Sequence, residues 1–486
     1  MPGRIHEEKN GMFNNGITQR GSLLSRSALG AALMLGTIGL TAAPVLAKDK
    51  PAAAPKVTLS KGFRAVAAPF DASLTAAAAA PAAVAGKAAF TAASQAYSAA
   101  ATNSARTAAR PALDAARAAL RTNFAGPIAQ IDPLLAAATS NDDRFTAGQL
   151  ILKLGVMAED PAIQRRAIQT QLASGLVPAA DVNRFNYFSG SLAFDAGDYA
   201  GAQAALSTAA NAGYTENDVQ ALLAESYFKQ NQTAAGLAYL RSAITANRAA
   251  GRPVPASWLR RGLGVAYGAK LLDDAGTYGA LLAEMYPNHD NWAGAISVVR
   301  EVAKYPLQEE LDLMRLMDRT NSYSETRDYI EYIESADARR LPNEVLTVIA
   351  KGVAAGKLTA SDVFVSEART VATGRVAPMR TSLAGLQRDS VLPTADAATA
   401  MGAGDVFLNF GDAAKAEAAY ANALTRPGVD TNRALTRLGI AQVDSGKYPA
   451  AIATFAKITG PRAPMARLWS IYATQKSQPA VAAPAS

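Results

Sequence analysis

Residues 183–216 read NRFNYFSGSLAFDAGDYAGAQAALSTAANAGYTE, and residues 217–250 read NDVQALLAESYFKQNQTAAGLAYLRSAITANRAA. The first stretch carries Gly190, Ala193, Gly197, Asp198, Tyr199, Ala202, Leu206 and Ala209. The second answers at matching offsets with Leu223, Ala224, Tyr227, Gly236, Leu240 and Ala243. Each reads as two helices joined by a turn. Small residues fall where two helix backbones would approach closely, and a larger side chain there would force the pair apart. Gly197 falls at a helix end, where a left-handed residue carries no Cβ penalty. The phase returns near the C-terminus. From Ala397 it gives Gly404, Phe407, Gly411, Asp412, Ala416, Tyr420 and Ala423; from Asn432 it gives Leu438, Gly439, Gly446, Lys447, Tyr448, Ala451 and Phe455.

Outward from these units the helical reading continues. Asp142 or Asp143 is placed to cap a helix over Phe145 to Met157, Pro161 opens one that Gly175 closes, and Pro178 to Ala196 begins another. No alternating run bounded by turn residues suggests a strand. The expected class is all-α. Two looser units are read around Trp258 to Pro287 and from Asn291.

Small crossing residues with an interlocking aromatic resemble the tetratricopeptide repeat, a helix–turn–helix unit of about 34 residues. The family's leading Trp is replaced by Asn186, Gln220, Ala400 and Leu435, and its closing Pro is mostly missing, which marks a divergent array. The resemblance implies an α-solenoid of stacked hairpins with a concave, protein-binding groove. It places Arg184, Tyr187, Ser191, Glu225 and Lys229 on that groove, followed by Asp405, Asn409, Arg433, Arg437 and Asp444. Arg433 and Arg437, one turn apart, would offer two forked donors to an acidic partner. The Lys and Asn clamp with which some members hold C-terminal carboxylates is not matched, since those positions hold Tyr187, Ser191, Ala221, Glu225, Met401 and Asp405.

Ahead of the array, Arg20 and Arg26 precede an uncharged run from Ser27 to Ala43, followed by Pro44, Val45, Leu46 and Ala47. This is the layout of a cleavable signal peptide with cleavage after Ala47. No paired arginines precede it, which argues against export of the folded chain, and Met12 is an alternative start to Met1. The expected location is a bacterial periplasm. Residues 48–105, Ala-rich and broken by Pro51, Pro55, Pro69 and Pro81, read as a tether too poor in large apolar residues to order itself. A helix is expected to start at Pro111. Arg110, Asp114, Arg117 and Arg121 share one helix face, a basic stripe that could meet an anionic envelope component. The remaining divisions are N-terminal hairpins over 106–182, repeats over 183–305, divergent hairpins over 306–393, repeats with a capping helix over 394–476, and a disordered tail from 477.

Composition narrows the chemistry. Alanine makes up about 110 of the 486 residues, aromatics 7% and charged residues 18%. Cysteine is absent, which excludes disulfides, thiolate metal sites and a Cys nucleophile. Only His6 and His289 are present, and His289 lies in an inter-helix turn. Removing residues 1–47 takes four basic and two acidic residues and lowers the net charge from +8 to +6, too dilute to suggest nucleic acid. No second run is long and apolar enough to cross a bilayer. Nine acidic residues between Pro306 and Arg340 include Glu331 and Glu334, but their helical spacing reads as a solvated face, with no calcium-loop pattern. Gly262, Gly264 and Gly268 lack the preceding strand of a phosphate loop and read as helix-crossing glycines. Neither a cofactor nor a catalytic set is expected. The function expected is a non-enzymatic scaffold or adaptor for a protein or peptide partner in the cell envelope. The alternative is a glycan- or polymer-handling enzyme or export accessory built on the same array.

Overall fold

The computed structural model describes residues 57–478, all helix, turn and loop with no strand among them. The leader, its cleavage point and the tail beyond residue 478 lie outside the described residues. Two compact units divide the chain between Pro253 and Val254.

The N-terminal unit opens with α1 (Lys61–Ala79), α2 (Pro81–Ala99) and α3 (Asn103–Thr122), followed by the short α4 (Ala125–Ala129) and α5 (Ile131–Ala137). Here the tether expectation fails from residue 57 onward. Phe63, Ala67, Phe70 and Leu74, spaced 4, 3 and 4 apart, line one face of α1 and are buried. Together with Phe90 they join a core with Leu113, Leu120 and Ile151. A few large side chains in strict register suffice, because the surrounding alanines favour helix and lose no side-chain entropy on packing. Ser60 caps α1 by accepting from the Phe63 N–H, and its own N–H donates to Asp143. Pro111 lies inside α3 rather than at its start, since the helix begins at Asn103 behind a Thr102 cap.

Four hairpin helices follow in two pairs after α6 (Asn141–Met157) and α7 (Pro161–Ala173): α8 (Ala179–Asp195) with α9 (Tyr199–Asn211), and α10 (Val219–Lys229) with α11 (Thr233–Ala249). The α6 cap is Ser140. Asp143 supplies the reciprocal half of a capping box, bonding back to the Ser140 N–H.

The C-terminal unit comprises α12 (Ala256–Gly268), α13 (Leu272–Met285), α14 (His289–Ala303), α15 (Leu307–Arg319), α16 (Thr326–Ala336) and α17 (Pro342–Ala354). It continues with the long α18 (Val363–Ser390), α19 (Ala397–Asn409), α20 (Ala413–Ala423), α21 (Thr431–Asp444), α22 (Tyr448–Phe455) and α23 (Ala463–Ser477). Three of its hairpins share one packing rule with α8 and α9. Gly190 faces Leu206, Gly262 faces Tyr278, Gly404 faces Tyr420 and Gly439 faces Phe455, in each case the residue sixteen positions later. A Cβ on Gly190 would sit 2.6 Å from Leu206 Cγ, so the glycine is required by contact. Gly446, between α21 and α22, has φ +72°, the left-handed turn read from sequence.

This unit does not stay open at its end. α23 folds back onto α13, α14 and α15. The Trp469 indole N–H donates to the Asp312 carbonyl at 2.9 Å, and the Gln475 amide donates to the Ala283 carbonyl at 2.9 Å. The Trp292 and Tyr472 rings meet edge to face.

Candidate partner-binding site

The groove residues expected from the repeat pattern fall in both units, and most are buried. In the N-terminal unit Tyr187 is buried, donates its hydroxyl to the Asn217 carbonyl at 3.1 Å and packs against the Phe188 and Tyr214 rings. Ser191 and Glu225 are buried beside it on α8 and α10. Arg184 is half-buried and pairs with Asp181 at 2.9 Å. Lys229 is exposed.

In the C-terminal unit the expectation of an open groove needs correction for three of five residues, Asp405, Asn409 and Arg437, which are buried. Arg437 is 1% exposed. Its guanidinium donates to both oxygens of Asp405 (2.6 and 2.5 Å), to Asp312 (3.4 Å) and to the Gln308 carbonyl (3.1 Å). Asp405 also accepts from the Tyr420 hydroxyl at 2.8 Å. Asn409 is buried, its side chain accepting from the Glu344 N–H at 2.9 Å and its carbonyl from Asn343 at 2.8 Å. Asp444 is held by a two-pronged contact from Arg319 at 2.9 and 2.8 Å. The cause is α15 lying against α21, which turns a would-be groove into an internal joint. Of the five, Asp444 stays exposed at the end of α21 and Arg433 is half-buried on the same helix.

The residues that complete this joint are absent from the groove set. Asp312 is fully buried and accepts from Arg315 (3.3 Å), Arg437 and Arg462 (3.1 Å). Arg315 grips Glu344 through two parallel bonds of 2.8 and 2.9 Å, and Tyr332 donates to the same carboxylate at 2.7 Å. Burial pushes the Asp312 carboxyl up, but the three arginines outweigh it and hold the group below its ordinary value. Glu344 is likewise lowered, burial being opposed chiefly by Arg315. A signal for the pair was present in sequence. Asp312 and Arg315 interrupt Leu311, Leu313, Met314, Leu316 and Met317, all buried, so this stretch of the helix has no wet side on which to place them.

Other candidate chemistry resolves into structure. Glu331 binds Arg300 and Arg327, and although burial opposes it, Arg300 keeps its carboxyl below the ordinary value. His289 opens α14, with one ring nitrogen 2.9 Å from Asp290 and the other 2.9 Å from the Tyr323 carbonyl. No cluster of three His, Asp or Glu placed to hold a metal occurs among the described residues. Gly262 is a helix-crossing glycine against Tyr278. On the basic stripe, Arg110 and Arg117 share Asp114 (2.9 and 3.4 Å) and Arg121 pairs with Asp160 at 2.6 Å, so its field is largely compensated.

No protein-family model matches the chain, and comparison with curated proteins gives no match. Among solved structures, the APC/C hetero-tetramer Cut9–Hcn1 aligns at 14% identity over 69% of this chain and 68% of that one, with a TM-score of 0.21. Naa15/Naa10 bound to HypK-THB aligns at 12% identity over 75% and 67%, with a TM-score of 0.22. At these scores neither likeness bears on the architecture, which rests on the chain's own helices.

Proposed function

We propose that this chain is an exported, non-enzymatic scaffold of tetratricopeptide-repeat type that holds a protein partner in the bacterial cell envelope. The observation that carries the reading is the repeated contact between a glycine and the residue sixteen positions later. It recurs in four hairpins of both units, two of them, at Gly404 and Gly439, thirty-five residues apart. A module repeated in this way builds extended surface from identical joints, an economy suited to binding rather than to a single chemical centre. The leader read over residues 1–47 supports export.

Two measurements test the proposal. N-terminal sequencing of the chain recovered from the periplasm should begin at Lys48; a membrane-retained chain starting at Met1 or Met12 sinks the export half. Chain 48–486 used as bait on solubilised envelopes should retain a discrete partner that rebinds when purified. A bait that retains nothing above a scrambled-helix control sinks the scaffold half.

A further inference from the structure

His289 is the sole histidine of chain 48–486, since the other, His6, belongs to the leader read from sequence. It is therefore the one side chain there whose ordinary pKa lies between about 5 and 8. It stands first in α14, on a turn fixed by Asn288, whose side chain accepts from the Asn291 N–H at 2.9 Å.

Both ring nitrogens meet oxygens that can only accept. Nδ1 lies 2.9 Å from an Asp290 carboxylate oxygen, and Nε2 lies 2.9 Å from the Tyr323 carbonyl. A neutral imidazole carries one N–H, so only the imidazolium satisfies both contacts. The charges around the ring have the matching sign. Asp290 adjoins it on α14, and Asp328 on α16 adds a second negative charge. Asp328 is itself anchored by the Ser324 and Glu325 N–H groups at 2.8 and 3.0 Å, with the Arg300 guanidinium 3.9 Å from it. The bonds to Asp290 and to the Tyr323 carbonyl raise the pKa of the ring above its ordinary 6.5. Burial and the positive end of the α14 dipole work the other way.

Tyr323 lies in the connection between α15 and α16. It is buried, its ring stacks on Tyr329 at 4.3 Å, and its hydroxyl donates to Asp318 at 3.1 Å. Further along α14, Arg300 ties the same helix to Glu310 of α15 and Glu331 of α16. α14 is thus fastened to the α15–α16 hairpin at two points. One is a guanidinium that keeps its charge at any working pH, and the other is an imidazole that does not.

We propose that His289 is a proton-dependent clasp: the imidazolium ties the start of α14 to the α15–α16 connection through Tyr323, and the tie slackens as the proton leaves. The bare nitrogen falls to the side of Asp290, whose exposed carboxylate is free to turn to water. The bond to Tyr323 then passes from charge-assisted to neutral. A base that holds its proton more tightly when folded gives stability that is complete below its unfolded value, here 6.5. That stability is lost as pH rises through the higher folded value.

The test uses untagged chain 48–486, in which one histidine gives one set of imidazole signals. Nitrogen-15 shifts at about pH 5.5 should show both ring nitrogens protonated, with a midpoint above 6.5 that Asp290→Asn brings down. Amide exchange over residues 320–325, corrected for its intrinsic pH dependence, should quicken about threefold or more across the titration in the wild type. His289→Gln, which offers one uncharged donor at every pH, should show no such step. A midpoint at or below 6.5 overturns the proposal in the wild type itself, whether or not a variant folds. Wild-type exchange that ignores the titration overturns it too, as does a step that persists in His289→Gln and so belongs to another group.

Discussion

Arg437 and Asp405, thirty-two positions apart on α21 and α19, form a pair in which the guanidinium reaches both carboxylate oxygens and water is excluded from both partners. Such a pair is no guarantee of stability, since desolvation offsets much of the attraction, but breaking it is costly. Arg437→Met strands Asp405 and under-serves Asp312. We expect a loss of about 3–5 kcal/mol in the C-terminal unit, read as a lower urea midpoint. Read from sequence as a surface position, Arg437 would tolerate reversal to Glu; its burial makes that change the more damaging one.

Gly439 and Gly402 provide a matched contrast. A side chain at Gly439 runs into the Phe455 ring, whereas one at Gly402 meets nothing within 4 Å. Gly439→Leu should cost about 3 kcal/mol or more by overpacking. Gly402→Ala should gain about 0.5–1 kcal/mol from helix propensity alone. Thermal melts of both variants check the repeat phase, and equal melting temperatures would show it to be misplaced.

What was legible in the sequence was local. The α7 helix from Pro161 to Ala173 stands as read, and the crossing glycines at 190, 404 and 439 are where the phase put them. Caps were less legible: Asp143 was recognised, but its role is the answering half of a box begun by Ser140. The ordering of residues 57–99 was missed because composition was weighed over register. Phe63, Phe70 and Leu74 are few, yet they fall on one face. The C-terminal joint was out of reach for another reason. Nothing near Asp312 in sequence announces Arg437 or Arg462, which lie 125 and 150 positions away.

Phe70→Ala tests whether α1 belongs to the folded body. Phe70 is wholly buried in the core shared with α3 and α6. The truncation should cost about 3–5 kcal/mol and expose the segment before Asn103 to protease. A tether would show no change in either measurement.

Asp143 should give the N-terminal unit part of its acid sensitivity. Burial raises its pKa, but bonds from Ser60 and Ser140 more than compensate, so it settles at about 2, against an ordinary value of 3.8. A depressed folded-state pKa gives stability that is complete above the unfolded value and is lost as pH falls from about 4 through about 2. The melting temperature of the wild type should drop across that window. Asp143→Asn should start lower at neutral pH and fall less steeply.

The return of α23 has a consequence for the order in which the chain is made. Gln475 and the Ala283 carbonyl it binds are 192 positions apart, and Trp469 reaches back 157 to Asp312. Until Arg462 and α23 leave the ribosome, Asp312 lacks one of its arginines, the Asp312 carbonyl lacks the Trp469 indole, and Trp292 lacks Tyr472. Every nascent chain short of α23 thus carries an unfinished C-terminal unit, with apolar surface and a buried-type acid both uncovered. Folding of that unit waits until α23 has been made, and the timing is set by sequence distance.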